Sequence, residues 1–304
     1  MIKIGCCGYP VNRKRYQDAF SLIELNSTFY GYPKLPTVIR WREEAGEGFE
    51  FTVKAHQDIS HKHRLKFDHA REPFERMKEI CRTLNAKMLL VQTAASFKPD
   101  SINEAETFFG KINRQGLTLV WETRGPLWEK IDIREKLRAV LERLDVTHVT
   151  DPFKVMPVYT GQTAYFRLHG LGERMYYYQY TNEELRKLYD LVKPLDIADR
   201  NVYVFFNNLS MFDDAKRFLS FIKHSCFPLL TGAKGLDSVR VMVSKAKFPT
   251  TNSALIRKSG WRLTELEDGR QVKLEELLKD LPQRTYRSVD ELLKDLTQTV
   301  EDTR

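Results

Sequence analysis

Cysteine is scarce in this 304-residue chain: Cys6, Cys7, Cys81 and Cys226, with no Cys-x-x-Cys pair. Four such residues make no disulfide framework, and adjacent Cys6 and Cys7 point to opposite faces of a strand, so a bridge between them is excluded. A reduced, cytoplasmic setting is therefore expected. Long apolar runs are also missing. No stretch approaches the 18 or so residues of a membrane span, and the N-terminus leads directly into a strand, so neither a membrane anchor nor a signal peptide is expected. There is no Walker loop, no Gly-x-Gly-x-x-Gly run, no serine triad and no internal repeat. Cys7 has no local base, which argues against a cysteine nucleophile. Acidic charge is the minority sign: 41 Asp and Glu against 49 Lys and Arg leave a formal net charge of +8 and a pI of about 9.2. That balance favours an anionic partner, DNA or RNA or a phosphorylated metabolite.

What the chain does have is eight short apolar runs, most of them ending in polar residues. They are IKIGCCG (2–8), SLIELNSTF (21–29), FEFTVKAH (49–56), AKMLLVQT (86–93), LTLVWETR (117–124), THVTD (147–151), TAYFRLHG (163–170) and NVYVFFNN (201–208). Stretches of helical periodicity separate most of them, for example 71–85 with Phe74, Met77, Ile80, Cys81 and Leu84 on one face. Thr37, Ser101 and Ser288 stand where helix N-caps are expected. Eight strands with intervening helices is the count of an α/β (β/α)8 TIM barrel. The PFKVMPVYTGQT segment between runs six and seven is too broken by Pro and Gly for a good helix, so the barrel is expected to be irregular around strands 6–7. Residues 1–232 are read as the barrel and 233–304 as a small C-terminal α+β appendage. Its WRLTELEDGRQVKL stretch forms a hairpin turning at Asp268-Gly269, and helices follow. The appendage holds 14 Lys and Arg against 12 Asp and Glu, so its net charge is small.

Several blocks resemble the YecE-like family, also called domain of unknown function seventy-two. They are Ile4-Gly5 with Gly8-Tyr9, Glu24-Leu25-Asn26-Ser27-Thr28-Phe29-Tyr30, Phe51-Thr52-Val53-Lys54-Ala55, Phe166-Arg167-Leu168-His169-Gly170 and Phe206-Asn207-Asn208, in order over about residues 1–230. The resemblance implies a TIM barrel and a cytosolic location, with no assigned activity, and a barrel type shared with endonuclease IV and sugar isomerases. The chain departs from the family pattern at Cys6-Cys7, which replaces a more hydroxyl-like pair, and at Arg124-Gly125, where the family often has Arg-His. The tail after 235 lies outside the resemblance.

In TIM barrels the active site is built at the C-terminal strand ends. Strand alternation groups Glu24 with Asn26, Lys54 with His56, Glu122 with Arg124, and Arg167 with His169. Glu24, Lys54, Glu122, Asp151 and His169 are the candidates for catalytic work. Asn26, Tyr30, His56, Arg124, Arg167, Tyr176, Tyr178, Asn207 and Asn208 are the candidates for substrate binding. The arginines offer planar forks to an anion, and the tyrosines offer faces to a base or sugar. The same polar set also suits a self-satisfied ion-pair network plugging the barrel. Glu24, Glu122, Asp151, His56 and His169 are suitable ligands for a divalent metal, the one cofactor the residue types suggest. The His-rich loop 56–69 supplies His61 and His63 as a weaker metal pair. Three functions stay open: a hydrolase, nuclease-like, acting on a phosphorylated or nucleic-acid substrate; a small-molecule isomerase or lyase using Lys54; and a non-catalytic nucleic-acid or anion-binding module.

Overall fold

The eight apolar runs pair in parallel and in sequential order to close a barrel, as the run count predicts. A computed structural model describes residues 1–302, with side chains through residue 298. The strands are β1 (Ile2–Cys7), β2 (Leu22–Leu25), β3 (Glu50–Lys54), β4 (Met88–Gln92), β5 (Thr118–Glu122), β6 (Val146–Thr150), β7 (Thr163–Leu168) and β8 (Asn201–Phe206). Helices α1 (Arg13–Gln17), α2 (Ser27–Tyr30), α3 (Leu35–Glu44), α4 (Phe67–Leu84), α5 (Ile102–Lys111), α6 (Ile131–Leu144), α7 (Asn182–Val192) and α8 (Met211–His224) follow in chain order. A single π-helical turn, Asp58–Lys62, precedes α4. The irregular side lies where expected: described residues 151–162 contain no helix, and the segment folds back on β6 instead. His148 N–H donates to Tyr159 O at 2.9 Å, and the Thr147 hydroxyl donates to Thr160 O and Thr163 O.

Period-two alternation explains the barrel interior. Leu22, Met88, Leu90, Val120, Val149, Tyr165, Tyr203 and Phe205 form its apolar filling, with Cys7 beside them. Below them, at the N-terminal strand ends, Lys3 donates to Glu50 (2.7 Å) and Tyr203 Oη donates to the other Glu50 oxygen (2.5 Å). Gly5 is required where β1 crosses β2: a Cβ there would lie 2.7 Å from Leu22 O. On the outside, α4 buries Phe74, Met77, Ile80, Cys81 and Leu84, the periodic face read from sequence, and stops at Asn85 in the left-handed conformation.

Two caps differ from expectation. Thr37 lies inside α3, which begins at Leu35 because Pro36 suits the first helical turn, its fixed φ and missing N–H costing nothing there. Ser101 ends a 3-10 turn leading into α5, and its side chain makes no capping bond. Ser288 does cap: its Oγ accepts Glu291 N–H at 3.2 Å.

The chain divides into two compact units, residues 1–169 with 188–207, and 170–187 with 208–304. The second unit includes the loop after β7 and α8, as well as the segments expected as the appendage. It adds α9 (Gly235–Val243), β9 (Thr250–Thr251), α10 (Asn252–Ser259), β10 (Leu263–Glu265), β11 (Gln271–Lys273), α11 (Leu274–Leu278), β12 (Thr285–Tyr286) and α12 (Val289–Asp302). β10 and β11 form the antiparallel hairpin around Asp268-Gly269, and β9 pairs with β12. Val239, Met242, Leu255, Leu278, Tyr286 and Leu292 contribute to this unit's own core. Among the described residues, no helix is long and apolar enough to cross a membrane.

Candidate active site

The polar ends of β2, β5 and β7 meet inside the first unit around one side chain, Arg167. It is 1 % exposed. Its Nε donates to Glu24 Oε2 at 3.1 Å, its Nη2 to Glu24 Oε1 at 2.9 Å, and its Nη1 to Glu122 Oε2 at 2.5 Å. A planar guanidinium can serve two carboxylates in this way, which a lysine cannot. Glu24 also accepts Tyr165 Oη (2.6 Å) and Asn26 Nδ2 (3.0 Å). Burial alone would raise the Glu24 carboxyl. The Arg167 charge, the Tyr165 hydroxyl and the Cys7 thiol together outweigh burial and hold it below its usual value. Glu122 behaves likewise: burial opposes ionisation, yet Arg167, Arg124 and His169 bring it down to about 2. Both carboxylates are ionised and occupied. The Cys7 thiol is pushed well up by burial, which leaves it a neutral member of the cluster.

A second layer lies nearer the rim. Arg124 Nη2 contacts Glu122 Oε1 at 2.6 Å and His169 Nε2 at 3.0 Å. The guanidinium can only donate, so His169 Nε2 carries the lone pair and Nδ1 carries the proton, toward Asp151 Oδ2 at 3.8 Å. Burial lowers the His169 pKa, and the Arg167 and Arg124 charges add to that against the pull of Asp151 and Glu122. The Asp151 carboxylate accepts the backbone N–H groups of His169 and Phe153, both at 3.2 Å. Gly125, directly after Arg124, has φ +107°, a conformation closed to side chains; the departure from Arg-His thus coincides with a turn that needs glycine.

Lys54 differs from every other charge here. It is buried, and among the described residues it forms no ion pair or hydrogen bond through its ammonium; its Nζ lies 4.1 Å from the Phe29 ring centroid. Burial lowers its pKa, the Arg167 charge lowers it further, and Glu24 and Glu122 offset only part, leaving it at about 8. The same Phe29 ring meets the His61 imidazole edge-on at 4.9 Å. His61 is pushed down by burial and by the Lys54 and Arg124 charges, which places it in the same electrostatic neighbourhood, and its Nδ1 is 2.9 Å from Ser60 Oγ.

Eight of the expected residues are thus brought together: Glu24, Asn26, Lys54, Glu122, Arg124, Asp151, Arg167 and His169. Others are not. His56 turns from the barrel axis to stack on Tyr32 at 3.9 Å and accept Asp58 N–H at 3.1 Å. Tyr30 is 75 % exposed and touches Phe29 with its edge. Asn207 follows β8, where its backbone N–H donates to Leu168 O. Tyr176, Tyr178 and Asn208 belong to the second unit. There the Asn208 amide donates to Tyr178 O and to the Asp214 carboxylate, and Tyr178 Oη donates to Glu184. The sequence did not single out Tyr165 or Gln92, and it offered His61 only as a weaker metal ligand paired with His63. The first two carry a signal: Tyr165 is two residues before Arg167 on the same strand face, and Gln92 is the register partner of Glu122. The placement of His61 beside Phe29 carries none, because the π-turn that holds it has no sequence signature.

The expected metal ligands do not form a metal site. Arg167 occupies the space between Glu24 and Glu122, and His56 points elsewhere. Among the described residues no group of three or more His, Cys, Asp or Glu is placed to hold an ion.

The family described as "Protein of unknown function DUF72" matches residues 11–225. A DUF72 family protein from Enterococcus faecalis is 22 % identical, with a TM-score of 0.60 over 73 % of this chain and 96 % of its own. One from Thermotoga maritima is also 22 % identical, with a TM-score of 0.58 over 74 % and 100 %. Endonuclease IV from Thermus thermophilus is 13 % identical over 73 % and 99 %, and its TM-score of 0.44 is too low to bear on this chain's chemistry. No curated protein matches the chain.

Proposed function

This chain belongs to the DUF72 family, and from its site we propose that it is an enzyme of carbonyl chemistry, an isomerase or lyase acting on a small anionic substrate through the amine of Lys54. The observation that carries this reading is the contrast between Arg167, fully engaged by two carboxylates, and Lys54, buried with no ionic partner among the described residues. At pH 7 an amine with a pKa of about 8 is roughly one-tenth unprotonated, against a few parts in ten thousand for an ordinary lysine. The amine adds to a substrate carbonyl carbon, and the carbonyl oxygen leaves as water. The resulting iminium withdraws electrons from the neighbouring C–H or C–C bond. The neutral His61 imidazole is the group at hand to take the proton released there. Arg124 supplies the positive field for the substrate's anionic group.

The hydrolase reading, for a phosphorylated or nucleic-acid substrate, has the same two cations in its favour. It would draw on the same His61 imidazole to activate water, since Glu24 and Glu122 are both bound by arginine, and it gives the buried amine of Lys54 no covalent role. The carbonyl reading therefore has more support. Borohydride trapping tests it. Protein incubated with pyruvate, or with glyceraldehyde 3-phosphate, and then reduced is expected to gain on the Lys54 peptide the mass of the substrate less its carbonyl oxygen, lost as water, with two hydrogens replacing that water's, and Lys54→Arg is expected to gain none. Labelling spread evenly over surface lysines refutes it.

A further inference from the structure

We infer that the second unit carries a binding groove for the phosphodiester backbone of nucleic acid, a property beyond the chemistry proposed for the barrel mouth. The unit's small net charge hides a strong segregation. Residues 238–263 contain six Lys and Arg and no Asp or Glu. Two of the six have acidic partners: Arg240 with Asp290 at 2.6 Å and Arg262 with Asp213 at 3.8 Å. The other four, Lys245, Lys247, Arg257 and Lys258, are exposed, and among the described residues their side chains form no ion pair or hydrogen bond. Three of these, Lys247, Arg257 and Lys258, line one cavity of about 330 Å³ together with Ala246, Ala254 and Leu255.

The layout says what fits. Lys247 comes from the connector before β9, whereas Arg257 and Lys258 come from α10, so cations enter from two chain segments beside Ala246, Thr250, Ala254 and Leu255. Like charges gathered without counter-charges create a positive potential that an anion relieves. A nucleic-acid strand offers phosphates at regular spacing for the cations and sugar edges for these neighbouring side chains. A lipid surface suits the site less, because its apolar part is recessed and holds no large side chain to insert.

The test uses the full chain and a fluorescein-labelled 20-nucleotide single-stranded DNA, with affinity measured by anisotropy from 50 to 300 mM KCl. The triple variant Lys247→Gln, Arg257→Gln, Lys258→Gln changes exposed side chains only and is expected to keep the wild-type thermal midpoint. At 100 mM KCl it is expected to bind at least tenfold more weakly. Its slope of log affinity against log salt is expected to be shallower by about 2, from roughly 0.7 per lost phosphate contact on single strands. Absence of wild-type binding at 50 mM KCl overturns the inference, as does a variant with the wild-type affinity and slope. Equally tight binding to phosphatidylserine vesicles or to polyglutamate overturns the choice of nucleic acid.

Discussion

Replacing Arg167 with Met removes the one cation that both Glu24 and Glu122 contact while roughly keeping the side chain's volume. Two carboxylates, 0 % and 4 % exposed, are then left without their main partner. Removing one member of a buried ion pair costs about 3–5 kcal/mol, a large share of the roughly 5–15 kcal/mol that holds a domain folded. The pH dependence identifies the cause. In the wild type, Glu122 titrates at about 2, below its unfolded value of roughly 4.3, so its contribution of about 3 kcal/mol is present above pH 4.3 and is lost as pH falls toward 2. In Arg167→Met the buried carboxyls titrate above the unfolded value. Stability is then greatest in acid and falls as pH rises from 4 to 7. Urea unfolding at pH 3, 4, 5, 6 and 7 separates the two: wild-type stability rises with pH below about 4.3 and is level above it, whereas the variant's falls between 4 and 7. Because the single variant is expected to be marginal, Arg167→Met with Glu24→Gln provides a second reading: removing one orphaned charge restores about 1–3 kcal/mol. A single variant destabilised by less than 1 kcal/mol, with the wild-type pH slope, refutes the ion-pair account.

Three further outcomes follow from the same geometry. Lys54→Met is expected to stabilise the protein at pH 7 by about 1–3 kcal/mol, because an ammonium whose pKa is depressed by burial opposes folding wherever it is protonated; the gain shrinks as pH rises from about 8 toward 10.5, and thermal melts across that range check it. Gly125→Ala forces a Cβ onto a residue with φ +107° and is expected to cost about 1–3 kcal/mol in chemical denaturation. Tyr165→Phe removes one of the hydrogen bonds that keep Glu24 ionised and is expected to cost about 1.5–3 kcal/mol in the same assay.

The barrel was legible because period-two runs and helical periodicity are local signals, and because the broken segment at 151–162 is marked by its own Pro and Gly. The shared polar cluster was legible for the same reason: alternation fixes the inward face, so Glu24, Glu122 and Arg167 had to meet once eight strands closed. What alternation could not reach lies just past the strand ends. His56 has the parity of Lys54, but the chain leaves β3 at Lys54 and turns, and the ring goes to Tyr32 instead. Asn208 follows β8 by two residues and is drawn into hydrogen bonds with Tyr178 and Asp214 of its own unit. His61 depends on a π-turn that no spacing announces. Whether the polar interior was a plug or a site also had two answers in sequence. The structure divides it: Arg167 with Glu24 and Glu122 satisfies itself, while Lys54, among the described residues, has the Phe29 ring beside it and no ionic partner.

The standing of Lys54 as a reactive amine is tested most directly by its titration. Reductive ¹³C-methylation of the lysines, with Lys54→Arg to assign its resonance, gives the amine's pKa from chemical shift against pH. The expected result is a resonance titrating near 8 that is absent from the variant. A Lys54 resonance that titrates at the ordinary lysine value, roughly 10.4, contradicts it.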